Sequence, residues 1–176
     1  RERNGVGMDY RLVERLHRSG NHVDLLENRA TAVAGDLTRE GMGLSVESRR
    51  LLTSNIQTIV HCAAETSFIR DEECHRINIG GMANIIQLAR GCERKPLIVH
   101  ISTATVCGSV RDLCIDEDFR CDPEGEHFNE YTRTKAMAER MLRDSGLPFV
   151  ILRPSVVVSA GLPDPAFARA IMWWLL

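Results

Sequence analysis

The segment Gln57-Thr-Ile-Val-His-Cys-Ala-Ala64 decides the fold, because it is a continuous apolar run that does not alternate with polar residues. A strand exposed on one face carries a polar side chain at every second position, whereas a strand buried on both faces is apolar throughout. Strands of the second kind belong to parallel sheets that helices cover on both sides. The segment therefore predicts a buried strand in a parallel sheet.

Short apolar segments alternate with helical patterns along the rest of the chain. Further strands are predicted at residues 30–34, 96–102 and 148–154. Helices are predicted at residues 7–19, 45–52, 71–92 and from about 129 to 144. This alternation predicts an α/β protein with a doubly wound parallel sheet in a three-layer, Rossmann-like αβα arrangement. The polar stretch 109–127 is too long for a simple connection and predicts a lid or binding loop.

Polar residues follow each predicted strand. They are Asp36, His61-Cys-Ala-Ala64, Thr103 and Arg153-Pro-Ser155. In open α/β sheets, ligands bind beyond the carboxyl ends of the strands. Four separate segments are therefore expected to meet at one binding edge.

Tyr131 and Lys135 lie four residues apart in the predicted helix that begins near Asn129. Positions i and i+4 share one helix face, so we expect the ammonium to lower the pKa of the phenol from about 10 toward the working pH. Such a phenol can exchange a proton with an alcohol or carbonyl. The alternative is a surface helix with a packed tyrosine and a solvated lysine. That alternative is weakened because the chain has twenty arginines and only two lysines, so its positive charge is otherwise carried by arginine.

The composition is that of one ordinary globular domain, with 176 residues, 44% hydrophobic and 26% charged. A net charge of −2 gives no reason to expect a nucleic-acid partner. No apolar stretch approaches the roughly 20 residues of a membrane span, and the apolar segment 170–176 is interpreted as the wall of a core or substrate pocket.

The six cysteines contain no Cys-x-x-Cys motif and are predicted to be reduced thiols in a cytoplasmic protein. Two pairs of adjacent ligand types occur, His61/Cys62 and Cys74/His75. Adjacent residues of a strand point to opposite faces, so we predict no metal site.

Six short motifs occur in an order and spacing that resemble the extended short-chain dehydrogenase/reductases. They are Gly35-Asp-Leu37, His61-Cys-Ala-Ala64, Asn78-Ile-Gly-Gly81, Ser102-Thr-Ala-Thr-Val-Cys-Gly108, Tyr131-Thr-Arg-Thr-Lys135 and Leu152-Arg-Pro-Ser155. Within that family, the longer string His61-Cys-Ala-Ala-Glu-Thr-Ser-Phe68 is most similar to the thioester reductase and fatty acyl-CoA reductase branch. The resemblance covers residues from about 30 to 158.

The resemblance implies an NAD(P)H-dependent reductase whose catalytic residues are Thr103, Tyr131 and Lys135, with Ser102 as the fallback for Thr103. The implied cofactor is NADPH, with NADH as the alternative, and the implied substrate is an acyl thioester on CoA or a carrier protein. The implied cofactor-binding residues are Asp36, Leu37, Cys62, Ala63, Ala64, Asn78, Tyr131, Lys135, Pro154 and Ser155. Asp36 would meet the adenine, Asn78 would lie near the nicotinamide, and Pro154 and Ser155 would contact the carboxamide.

The sequence departs from this family in three places. Cys107 stands where relatives have Tyr, and we expect this to change packing more than catalysis. Gly81 stands where relatives often have Thr, so a hydrogen bond at the helix start is expected to be lost. The third departure is the absence of a Gly-x-x-Gly-x-x-Gly motif between a strand and a helix.

The missing glycine motif predicts that the chain is part of a longer NAD(P)-binding domain. We expect the first βαβ unit and the C-terminal substrate region to be absent, and the isolated chain to be unable to fold or bind cofactor. Three alternatives stay open: a sugar-nucleotide epimerase or dehydratase, a hydroxysteroid-type dehydrogenase, and a protein without catalysis that senses NAD(P) or is an inactive fragment.

Overall fold

Three parallel strands form the sheet on which the rest of the fold is assembled. A computed structural model of the protein describes residues 31–110, 112 and 114–155. The strands are β1 (Thr58–His61), β2 (Leu97–Ile101) and β3 (Phe149–Leu152), and they are hydrogen-bonded in the order β1-β2-β3. All neighbours are parallel, with His61 beside His100 and Ile101 beside Leu152. The α/β class and the parallel sheet are therefore as predicted.

Helices connect these strands. They are α1 (Val46–Asn55), α2 (Asp71–Cys74), α3 (Gly80–Gly91) and α4 (Glu130–Asp144). A single π-helical turn, His75–Ile79, joins α2 to α3, and short 3-10 turns cover Glu40–Gly43 and Ala104–Cys107. The sequence predicts α2 to α3 as one long helix, and the structure confirms it with the π turn in its middle. None of the described helices has both the length and the apolarity needed to cross a membrane.

The capping residues explain where α4 begins and ends. The Asn129 side chain accepts a hydrogen bond from the Thr132 amide at 2.9 Å, which satisfies an amide that has no partner within the helix. Gly146 follows the helix with φ of +70°, a left-handed conformation that glycine adopts without strain. These two signals place Tyr131 and Lys135 in the first two turns of α4.

The core lies on one face of the sheet, between the strands and the helices α3 and α4. The residues buried there include Met82, Ile85, Ile98 and Leu142. The side chains on the opposite face are more exposed, with 61% of Val60 and 46% of Leu152 accessible. The prediction that β1 is buried on both faces is therefore wrong for the described residues, because α3 and α4 pack on the same side.

The predicted strand at residues 30–34 is also wrong for residues 31–34. They lie outside the described sheet, which consists of β1, β2 and β3. An apolar run becomes a strand only where a neighbouring strand completes its ladder of hydrogen bonds, and local pattern does not reveal that neighbour.

The turn predicted after residues 30–34 is present, since the Asp36 carboxylate accepts hydrogen bonds from the amide and hydroxyl of Thr38. The predicted helix 7–19 and the apolar segment 170–176 lie outside the described residues.

The predicted long loop follows β2. Its described residues form no helix or strand, but it is tied to the fold at several points. The Ser109 amide donates to Glu126 O at 2.9 Å, and Arg133 Nε donates to Pro123 O at 3.2 Å. The loop is therefore held against α4.

A buried ion pair joins β3, α4 and this loop. Arg153 Nε and Nη2 donate to the two carboxylate oxygens of Glu139 at 3.0 and 2.6 Å, and Nη2 also donates to Phe119 O at 2.8 Å. The Glu139 side chain is only 2% exposed. The fork geometry satisfies both oxygens of a carboxylate that has been removed from water.

Replacing Glu139 by Ala should lower the free energy of unfolding of the full-length protein by about 3–5 kcal/mol, because the Arg153 guanidinium would remain buried without its partner. Glu124 provides the matched control. It pairs with Arg140 at 3.4 Å but is 62% exposed, so Glu124→Ala should cost no more than about 1 kcal/mol. Urea unfolding followed by circular dichroism measures both, and equal losses in the two variants would contradict the assignment of a structural role to the buried pair.

Candidate active site

Tyr131 lies at the carboxyl end of the sheet, where the first turn of α4 meets the segment after β2. The Thr103 side chain lies close enough to the Tyr131 hydroxyl to lower the pKa of the phenol. The Phe68 ring packs against the phenol with centroids 5.8 Å apart at an angle of 59°. The structure therefore brings together two of the three predicted catalytic residues, and Phe68 is a neighbour that sequence reasoning did not single out.

The pKa of Tyr131 is raised, not lowered as predicted. Burial of the phenol is the main cause, the hydrogen bond with Thr103 opposes it, and the Cys74 thiol adds to the increase. The prediction that Lys135 lowers this pKa is wrong: the ammonium is not among the groups that shift it, and burial of the phenol dominates. At neutral pH the phenol carries its proton.

Lys135 is buried one turn further along α4, with 2% of its surface exposed. Its Nζ donates to the backbone oxygen of Ile101, the last residue of β2, at 2.6 Å. Burial lowers the pKa of Lys135 to about 8, although Glu139 and Cys62 partly offset this effect. The side chain is thus a cation at neutral pH that lies close to its own titration range.

Thr103 begins the 3-10 turn Ala104–Cys107 and caps it. Its hydroxyl lies 3.3 Å from the Thr105 amide and 3.0 Å from the Thr105 hydroxyl. The next amide, that of Ala104, donates to Pro154 O at 2.9 Å. This bond joins the Thr103 turn to the segment after β3, where Pro154 and Ser155 lie.

Ser102, the fallback for Thr103, occupies a different environment. It is 4% exposed, and its hydroxyl is buried without a hydrogen-bond partner. Successive residues of an extended segment point to opposite sides, so Ser102 and Thr103 cannot both face Tyr131. The hydroxyl that contacts the phenol is that of Thr103.

Asn78 lies in the π turn and is buried. Its side chain accepts from the Glu65 amide at 2.9 Å and donates to Glu65 O at 3.1 Å and to the Thr134 hydroxyl at 3.0 Å. These three bonds hold the segment after β1 against α4. The structure thus gives Asn78 a positioning contact between two parts of the predicted binding edge, and π turns of this kind are frequent at functional sites.

The remaining predicted cofactor residues form two groups. Cys62 and Ala63 are exposed and Ala64 is half-buried; they directly follow β1, and the Cys62 thiol is near enough to Lys135 to influence its pKa. Asp36 and Leu37 belong to a separate turn that packs on α3. There Leu37 is so close to Gly81 that a Cβ on this glycine would lie 2.6 Å from the Leu37 side chain.

Two histidines lie beneath this site and were not predicted as a pair. His61 and His100 are opposite each other on β1 and β2, and their rings stack with centroids 5.3 Å apart. Burial, together with the positive charge of Lys135, lowers their pKa values to about 4 and about 2. Both rings are therefore neutral at physiological pH. A histidine in each of two apolar strands was visible in the sequence, but the pairing depends on strand register.

The arrangement combines a protonated phenol, a threonine hydroxyl that lowers the pKa of the phenol, and a buried cation one helical turn along α4, all at the carboxyl end of a parallel sheet. Such a set can deliver a proton to an oxygen and stabilise negative charge that develops there. The described residues contain no group of three or more His, Cys, Asp or Glu side chains arranged to hold a metal ion.

Comparisons with known proteins agree with this fold. The terminal R domain from the myxalamid PKS-NRPS biosynthetic pathway is similar in structure, with a TM-score of 0.77 and 28% identity over 85% of this chain and 39% of that chain. Its similarity confirms the predicted Rossmann-like α/β fold.

Two curated relatives are fatty acyl-CoA reductases. The protein wat of Drosophila melanogaster is 29% identical over 73% of this chain and 30% of its own length. Fatty acyl-CoA reductase 8 of Arabidopsis thaliana is 25% identical over 77% of this chain and 38% of its own length. The chain thus spans about a third of the length of these relatives.

A family model described as male sterility protein matches residues 1–173, which is nearly the whole chain. This match confirms the branch that the motifs resemble. The chain therefore belongs to the male sterility protein family, whose model describes an NAD-binding domain.

Proposed function

We propose that this chain is part of the NAD(P)-binding domain of a reductase that acts on an acyl thioester carried by CoA or by a carrier protein. The observation that carries the proposal is that Thr103, Tyr131 and the buried Lys135 meet at the carboxyl end of β2: the Thr103 side chain lowers the pKa of the Tyr131 phenol, and Lys135 donates to Ile101 O. Membership in the family supports it, and so do relatives named as fatty acyl-CoA reductases. The reaction would give an aldehyde or an alcohol.

The residues at the binding edge fit a nicotinamide cofactor. The exposed segment Cys62–Ala63 leads away from β1 beside Lys135, and Pro154 is bonded to the turn that carries Thr103. We propose that the first segment lies along the adenosine and phosphates, that Pro154 and Ser155 contact the carboxamide, and that Asp36 and Leu37 meet the adenine side. NADPH is the proposed cofactor and NADH is the alternative. A direct comparison of the affinities for the two cofactors decides between them.

A nicotinamide cofactor held at this edge would supply the hydride for reduction of the electrophilic carbon of the substrate. Tyr131 donates its proton to the oxygen on which negative charge develops, and Thr103 donates a hydrogen bond to the same oxygen. Lys135 would stabilise the phenolate that remains and would hold the cofactor ribose. Asn78 acts indirectly, because its hydrogen bonds to Glu65 and Thr134 set the position of α4 relative to the segment after β1.

Replacing Tyr131 by Phe in the full-length protein should lower turnover of an acyl-CoA substrate about 10²–10⁴-fold, because the ring remains but the proton donor is lost. NADPH affinity should change little. Tyr10→Phe, which alters the only other tyrosine, is the control and should keep wild-type turnover. Steady-state kinetics and fluorescence titration with NADPH measure these effects, and full turnover in Tyr131→Phe would rule out the assigned role.

Replacing Lys135 by Met should weaken NADPH binding and lower turnover, since both the ribose contact and the charge beside the phenol are lost. The only other lysine, Lys95, is exposed and donates to Arg90 O before the start of β2, at the opposite edge of the sheet. Lys95→Met is therefore a matched control that removes the same charge away from the site. A similar loss of NADPH affinity in both variants would mean that the loss comes from the lower net positive charge of the protein and not from a contact made by Lys135.

The affinity of the free enzyme for NADPH should fall as the pH rises through about 8, where Lys135 loses its charge. The sign follows from the lowered pKa: the ammonium is present below that pH and is absent above it. Binding titrations with NADPH between about pH 6.5 and pH 9.5 test this. Lys135→Met is the reference variant, and its affinity for NADPH should not fall in this pH range. An equal fall in the affinity of the variant would mean that a group other than Lys135 loses its proton there.

A further inference from the structure

Two cysteines near the long loop face each other, a pairing that the sequence, which predicted only reduced thiols, did not indicate. Cys107 ends the 3-10 turn that begins after Thr103, and Cys121 lies in the loop that follows. Their sulfur atoms are 3.9 Å apart, and both residues are half-buried. The thiols of Cys74 and Cys92 instead donate to backbone oxygens, and Cys62 and Cys114 are exposed.

The backbone on both sides of this pair is held in place. Next to Cys107, the Ser109 amide donates to Glu126 O at 2.9 Å, and Gly108 is so close to the same oxygen that a Cβ there would lie 2.4 Å away. Next to Cys121, Phe119 O accepts a hydrogen bond from Arg153, which is itself fixed by the buried carboxylate of Glu139. The two sulfurs are therefore kept near each other by contacts that do not involve them.

We propose that Cys107 and Cys121 form a redox modification site, at which a low-molecular-weight disulfide such as oxidised glutathione converts the two thiols into a reversible intrachain disulfide. A disulfide bond is about 2.05 Å long, so the sulfurs must approach by roughly 1.9 Å. Rotation of the two side chains is the expected route for that approach, because the sulfurs start 3.9 Å apart and the backbone beside each cysteine is held by the contacts described above. The bond would tie the loop 109–127 to the turn that carries Thr103.

The reaction proceeds by two thiol-disulfide exchanges. The Cys107 thiolate attacks one sulfur of the oxidant, which forms a mixed disulfide and releases one small thiolate. The Cys121 thiolate then attacks Cys107 Sγ, which closes the intrachain bond and releases the second small thiolate. The released thiolates take up the two protons lost by the cysteines, so two electrons pass from the pair to the oxidant.

The environment of the pair sets the order of these steps. Burial raises the pKa of Cys121 to about 12, and the Glu139 carboxylate adds to the increase while Arg153 opposes it. Cys121 is therefore a poor nucleophile toward a reagent in solution. It is better suited to the second step, in which its target is already within a few ångströms.

Trypsin mapping of the full-length protein tests the proposal directly. The reduced protein is incubated with oxidised glutathione, its remaining thiols are alkylated, and it is digested with trypsin. Cleavage after Arg94, Arg111, Arg120 and Arg133 places Cys107 in peptide 95–111, Cys114 in peptide 112–120 and Cys121 in peptide 121–133. We expect peptides 95–111 and 121–133 to be joined, peptide 112–120 to be alkylated, and dithiothreitol to separate the joined pair.

Two variants serve as controls. Cys114→Ser should keep the joined peptides, because the exposed Cys114 takes no part. Cys121→Ser should abolish them and leave glutathione on Cys107, and circular dichroism shows whether this variant is folded. The proposal is overturned if the wild-type protein, while folded, retains alkylated Cys107 and Cys121 after oxidation, or if either one is linked to Cys62 or Cys114 instead.

Discussion

The hydrogen bond from Lys135 to Ile101 O is the contact on which the geometry of the site depends. It connects the second turn of α4 to the last residue of β2 at 2.6 Å. Removing an ammonium from water is unfavourable, and for this reason burial lowers the pKa of Lys135. The bond offsets part of this cost and fixes where α4 crosses the end of the sheet. Tyr131, one turn earlier on the same face, is thereby placed beside Thr103, two residues beyond Ile101.

Local patterns were sufficient to predict most elements of the fold. β1, β2 and β3 lie inside three of the predicted strands, and α4 begins and ends where Asn129 and Gly146 indicate. These predictions rest on side-chain periodicity and capping, which act within a few residues of one another. Residues 31–34 of the strand predicted at 30–34 form no strand, because a strand also needs a neighbour, which is a property of the assembled sheet.

The members of the site could be named from the sequence, but their electrostatics could not. The i, i+4 spacing correctly placed Tyr131 and Lys135 on one helix, yet the pKa of the phenol depends on how deeply the ring is buried. Burial is set by Phe68 and by the segment after β1, which Asn78 holds against α4. The stacked pair of His61 and His100 likewise follows from strand register, which the sequence does not state.

The raised pKa of Tyr131 suits the proposed direction of reaction better than the lowered pKa that spacing alone suggested. A proton donor in a reduction must hold its proton until hydride arrives, and burial ensures that the phenol is neutral at physiological pH. Donation then creates a phenolate in the same buried place, where it would be costly without compensation. The Thr103 side chain, which lowers the pKa of the phenol, can stabilise that anion, and Lys135 supplies a positive charge one turn along the same helix face. Burial therefore keeps the proton in the resting state, while the two partners of the phenol favour its release once charge develops on the substrate oxygen.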